Sequence, residues 1–205
     1  MPVFIKGQAR VLFIHVPKTG GTAVEFFFEK NGWDISFVDR GGDHSLVPVM
    51  HCSPQHLHAD VLQQVFRLKG FSYMFMTVRN PLDRLVSEYR MRAHMQATIE
   101  DIDTWVEAVL GGFQQNPYLI DNHIRPQAEF WVPGCEVFKQ EYGFGEAWVD
   151  HIASRVGGRF DHRQVGVEMR FDAVARPALS VAAMRRVREF YARDYELFAY
   201  EPPAV

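Results

Sequence analysis

Two short apolar runs, each closed by a polar turn that opens a helix, restrict this chain more than any other feature. Residues 11–16 are apolar apart from His15 and rich in β-branched and aromatic side chains, as a strand buried on both faces requires. The run ends at Pro17-Lys18-Thr19-Gly20-Gly21-Thr22, and residues 23–30 then read as a helix with Gly32 as its stop. Residues 73–78 repeat the pattern, followed by Arg79-Asn80-Pro81. Asn80 suits an N-cap and Pro81 the first helical position, and Leu82, Leu85, Val86 and Tyr89 recur at helical spacing. Strands that each feed a helix predict an α/β fold: a P-loop-like three-layer fold with a central, mostly parallel sheet flanked by helices.

Weaker signals fill in the rest. A short strand is expected at 35–38 and another at 135–139. Helices are expected at 59–68 (apolar face Val61, Leu62, Val65, Phe66), 104–110, 145–156, and from 181 to about 195 behind a Ser180 cap. Segments 111–117 and 157–163, rich in Gly or Pro, read as loops. With 205 residues and no linker-like stretch, residues 1–205 are expected to form one domain. A hydrophobic share of 47 % and 17 Phe exclude a disordered chain.

The formal net charge of −3 argues against nucleic acid as a partner. Cys52 and Cys135 share no metal or redox spacing and are expected to be free thiols. The six-residue apolar run near the start is too short for a signal or membrane segment, so a cytoplasmic protein without a membrane span is expected.

In an α/β sheet, ligands bind at the carboxyl ends of strands, against helix N-termini. Both turns place polar residues there. Gly20 and Gly21 admit an anion close to the backbone, Lys18 brings a cation and Thr22 a hydroxyl. A Walker A loop has its Lys after the second Gly, whereas here the Lys precedes the pair. In the second turn, Arg79 and Ser87 are placed to meet a second phosphate, the guanidinium as a bidentate donor. The alternative for Arg79 is a local pairing with Asp83 or Glu88.

FIHVPKTGGT at residues 13–22 and TVRNPLDRLVSEY at residues 77–89 together resemble sulfotransferases that use 3′-phosphoadenosine 5′-phosphosulfate (PAPS). The closer likeness is to the carbohydrate branch, which includes heparan sulfate 2-O-sulfotransferase and bacterial relatives. The resemblance implies transfer of a sulfuryl group from PAPS to a hydroxyl, with a glycan as acceptor and no metal. Pro17, Lys18, Thr19, Gly20, Gly21 and Thr22 would face the phosphosulfate, and Arg79 and Ser87 the 3′-phosphate. DNHIRPQAEF at 121–130 and FYARDYELFAY at 190–200 extend the resemblance more weakly.

Sulfuryl transfer runs in line, so the protein supplies position and charge, with Lys18 stabilising the leaving oxygen. The acceptor hydroxyl needs a base, and a neutral imidazole is the usual one. His56 and His58 match an HxH pair of the carbohydrate enzymes; His58 is the first candidate and His56 the second. The same pair is open to metal binding, without a third ligand at recognisable spacing, or to a solvated surface role. His15, inside a strand, reads as structural.

His123, Arg125 and Gln127 are candidates for binding acceptor or donor, or for stabilising their loop. Nine Arg between 155 and 193 would suit an anionic acceptor. Interspersed Asp161, Glu168, Asp172, Glu189 and Asp194 favour a salt-bridged surface instead. Two other functions compete: a P-loop nucleotide kinase or NTPase, which should carry a Walker A Lys and an acidic Mg²⁺ ligand, and a non-catalytic module binding adenosine 3′,5′-bisphosphate (PAP).

Overall fold

The computed structural model describes residues 1–41, 50–95, 100–164 and 175–205. In chain order it contains β1 (Val3–Lys6), β2 (Ala9–Ile14), α1 (Gly21–Lys30), β3 (Asp34–Ser36), α2 (Ala59–Val65), β4 (Tyr73–Val78) and α3 (Pro81–Met95). Then follow α4 (Ile102–Gln115), β5 (Glu136–Lys139), α5 (Glu146–Val156), α6 (Val181–Phe190) and α7 (Ala192–Leu197). Among the described residues no helix is long and apolar enough to cross a membrane.

The five strands form one open sheet in the order β3-β1-β2-β4-β5. Pairings β2–β4 and β4–β5 are parallel, whereas β1 pairs antiparallel with both β2 and β3. The sheet is therefore mixed, and the expected parallel arrangement holds for the β2-β4-β5 half. The antiparallel half comes from β1, a four-residue strand with no run long enough to announce itself. It folds back on β2 with Lys6 opposite Ala9, through Gly7 at φ 58°.

Alternation along β2 and β4 sends side chains to both faces. Val11, Phe13 and Phe75 pack with Val24, Phe27 and Phe28 of α1 and with Trp148 and Ile152 of α5. Leu12, Ile14, Met76 and Val78 pack with Leu62 of α2 and with Phe130. A third cluster joins α3, α4 and α6 through Val86, Trp105, Val106 and Val187. Burial on both faces is why residues 11–14 are apolar throughout and residues 73–78 apolar but for Thr77.

Several local readings hold. Asn80 Oδ1 accepts from the N–H groups of Leu82 and Asp83, capping α3, and Ser180 Oγ accepts from Ala183 N–H, capping α6. Gly32, at φ 74°, closes α1 with paired bonds from Gly32 N–H to Glu29 O and Trp33 N–H to Phe28 O.

Others change. α4 runs through Gly111 and Gly112 to Gln115, where a loop was expected; a Cβ on Gly112 would sit 3.1 Å from Leu119, so close packing accounts for that glycine. α2 stops at Val65, which is exposed, and Phe66 is already extended. The C-terminal helix divides at Tyr191, which is buried and donates to Ile124 O. Arg155, Arg163, Arg176 and Arg186 pair with Glu136, Asp161, Asp83 and Glu107, as a salt-bridged surface requires; Glu168, Arg170 and Asp172 lie outside the described residues.

Candidate active site

Because β2 and β4 are parallel neighbours, their carboxyl ends lie side by side and bring both polar turns to one edge of the sheet. The turns are tied together beneath that edge: Thr19 Oγ1 lies 2.8 Å from Thr77 Oγ1 and donates to Val16 O at 2.7 Å. Thr19 is thus fully buried, and its hydroxyl serves the turn rather than the open edge.

A cleft of about 1040 Å³ opens above this edge, bordered by Pro17, Lys18, Gly20, Gly21, Thr22, Arg79 and Ser87. α1 starts at its floor, with Gly20 at φ 86° and no side chain capping the first turn. Those amides and the positive helix end are available to an anion. Lys18, itself at φ 68°, rests its Nζ 3.1 Å from Met91 Sδ. Burial lowers the pKa of Lys18, opposed by the Glu88 carboxylate. Burial likewise lowers that of Arg79, opposed by Asp83 and Glu141.

Four imidazoles border the same cleft, those of His15, His56, His123 and His162, and the first three are each backed by a carboxylate through Nδ1. His15 lies 2.6 Å from Glu25 Oε1, His56 2.7 Å from Asp121 Oδ2, and His123 2.7 Å from Glu88 Oε2. His56 stands between the other two, its ring centroid 5.0 Å from each. Burial acts against the charge on Asp121, yet hydrogen bonds from His56 and Ser53 hold its pKa at about 2. Burial likewise opposes ionisation of Glu88, while His123, Lys18 and Arg92 hold it at about 2. Ionised carboxylates accept only, so His56 and His123 each donate from Nδ1, and the neutral His56 keeps its lone pair on Nε2.

Burial lowers the pKa of His56 to about 3, against the hydrogen bond to Asp121. Atoms of His56, Asp121 and His123 that are capable of binding a metal lie within 4.8 Å of one another. Asp121 is already engaged there, accepting from Ser53 N–H and Ser53 Oγ as well as from His56.

The loop carrying Asp121 is strained. Ile120, Asp121 and Asn122 are consecutive left-handed residues at φ 54°, 54° and 64°, a conformation costing roughly 1–2 kcal/mol per residue. It is held by the bonds to Asp121 and by Asn122 Nδ2 donating to His56 O at 2.8 Å. The strain turns Asp121 and Asn122 toward the same histidine.

Other expected residues stand elsewhere. His58 is buried at the start of α2, edge-on to Tyr118, and does not border the cleft. Arg125 donates to Asn122, Glu129 and the Pro117 carbonyl, and its guanidinium lies over Phe113 and Tyr118. Gln127 is fully buried against the backbone of Arg79. Of these three DNHIRPQ candidates, only His123 reaches the cleft. Glu25, Glu88 and Asp121 escaped the sequence reading because no local spacing links a carboxylate to a histidine on another element. Gln140, Phe144 and Glu146, which also border the cleft, escaped it likewise.

The structural reading of His15 also accounts for Gly21. A Cβ on Gly21 would lie 2.1 Å from His15 Nε2, well inside contact distance. Gly21→Ala should therefore push the ring off Glu25 and destabilise the fold by about 1–3 kcal/mol. Denaturant unfolding reads this directly, and unchanged stability would contradict the packing.

Comparison with curated proteins and with solved structures returns no match. The model of the sulfotransferase family matches residues 1–201, nearly the whole chain. Both polar strand-end turns border one cleft, and the protein belongs to the sulfotransferase family.

Proposed function

We propose that this protein transfers the sulfuryl group of PAPS to a hydroxyl of a carbohydrate acceptor and releases PAP. The observation that carries the reading is the meeting of both phosphate-type turns and His56 in one cleft. Its volume suits a bisphosphorylated nucleoside with room for an acceptor. The carbohydrate acceptor rests on the resemblance of residues 13–22 and 77–89. We read residues 1–205 as one P-loop-like domain, with the β2-β4-β5 half as its ligand-binding edge.

In this reading Gly20, Gly21 and Thr22 hold the phosphosulfate at the start of α1, and Arg79 and Ser87 hold the 3′-phosphate. The acceptor oxygen attacks sulfur as the bond from sulfur to the bridging oxygen breaks. His56 Nε2 takes the hydroxyl proton, Asp121 stabilises the imidazolium, and Lys18 meets the charge growing on the leaving oxygen. His56 takes precedence over His58 as the base because it borders the cleft.

Calorimetric titration with PAP, with ATP and Mg²⁺ as the control, tests the donor. PAP should bind without metal and much more tightly than ATP. ATP binding with no PAP binding would assign the two turns to a kinase or NTPase. Arg79→Ala should weaken PAP by roughly tenfold or more, as loss of a charge-assisted bond requires. Equal affinity in the two proteins would remove Arg79 from the 3′-phosphate site.

A further inference from the structure

The C-terminal string at 190–200 contains a fully buried carboxylate, Asp194, to which the reaction as drawn gives no role. Asp194 Oδ2 accepts from Gln127 N–H and Oδ1 from Ala128 N–H, both at 2.8 Å. These are the first amides of the short turn Gln127–Glu129. Gln127, also fully buried, brackets a single residue: its Oε1 accepts from Arg79 N–H at 2.9 Å, and its Nε2 donates to Arg79 O at 2.8 Å.

We propose that Asp194 and Gln127 are positioning residues that fix the backbone of Arg79, and so aim its guanidinium at the 3′-phosphate of the donor. The proposal rests on the donor reading above. Its physical basis lies in where Arg79 stands. The parallel ladder between β4 and β5 ends with Val78 opposite Lys139. The bonds of α3 begin when Arg84 N–H reaches Asn80 O. Arg79 falls between them, at the residue where strand becomes helix, so regular structure pairs neither its N–H nor its C=O.

A primary amide carries a donor and an acceptor in one plane and can pair both groups at once, as an adjoining strand would. Asp194 in turn holds the amide's own backbone. Tyr191 donating to Ile124 O and Arg84 donating to His123 O and Arg125 O hold the same loop, and Gln127 is the side chain that links it to Arg79. A fixed backbone leaves less of the long Arg side chain to be ordered when an anion binds.

The test is PAP affinity by calorimetry in a double-mutant cycle, with thermal midpoints measured alongside. Gln127→Met removes both bonds at nearly constant volume and should weaken PAP about tenfold. Gln127→Glu keeps an acceptor for Arg79 N–H and should recover part of that loss. In an Arg79→Ala background, Gln127→Met should cost less than about twofold, because the group it positions is gone. Should Gln127→Met fold poorly, Asp194→Asn takes its place in the same cycle.

Wild-type PAP affinity in the folded Gln127 variant would overturn the proposal, and so would a loss that multiplies in full with that of Arg79→Ala. Failure of the wild type itself to bind PAP would instead remove the donor reading and the proposal with it.

Discussion

Replacing Lys18 with Ala is expected to lower sulfuryl transfer by about 10²–10³-fold while PAP affinity falls far less. The leaving oxygen gains charge only as its bond to sulfur breaks, so a cation aimed there acts on the transition state rather than on the bound product. Lys18 borders the cleft from the turn between β2 and α1, beside Gly20 and Gly21. Its Nζ rests on Met91 Sδ, and a thioether is a weak acceptor that an anion readily displaces. Burial disfavours the ammonium, and the Glu88 carboxylate opposes that effect. Alanine leaves the backbone preference at φ 68° unchanged in kind, since both residues carry a Cβ. Transfer from radiolabelled PAPS to an accepted glycan gives the rate, and calorimetry gives the PAP affinity. A near wild-type rate would pass the leaving-group role to the amides of α1.

The features that could be read from sequence were those whose cause is local. β2 and β4 announce themselves through predominantly apolar runs, and Asn80-Pro81 and Ser180 through cap chemistry that needs only neighbouring residues. The two polar turns at the strand ends followed from the same logic, because a Gly pair or an Arg at a strand end is a contiguous signal. β1 did not, being four residues whose pairing partner is decided by the turn at Gly7. The imidazole–carboxylate pairs are further out of reach. Glu88 sits on α3 and meets a histidine 35 residues later, and Asp121 reaches back 65 residues to His56. Gln127 looked like a ligand-binding residue because a polar side chain in a recurring string invites that reading. Its burial against Arg79 depends on the whole loop, which no window of sequence contains. Where a turn or cap depends on contiguous residues the sequence was informative, and where residues touch one another across elements it was not.

His56 and His58 are separated by one residue and by very different surroundings, and their alanine variants should differ accordingly. His56→Ala is expected to reduce kcat by about 10²–10⁴-fold, the range for loss of a general base, with PAP binding retained. His58→Ala should leave kcat within a few-fold of wild type and act on stability instead. His58 is buried against Tyr118 away from the cleft, and its Nδ1 has no hydrogen-bond partner among the described residues. Equal losses in the two variants would overturn the assignment.

The pH profile gives a second, independent reading. Burial holds the His56 pKa at about 3, below the ordinary value of 6.5, so the free enzyme keeps its base in the neutral, competent form as pH falls from 7 to 5. The kcat/KM profile, which reports the free enzyme, should therefore show no acid limb near pH 6.5. A limb at that pH would mean that a solvated imidazole, and not His56, accepts the proton.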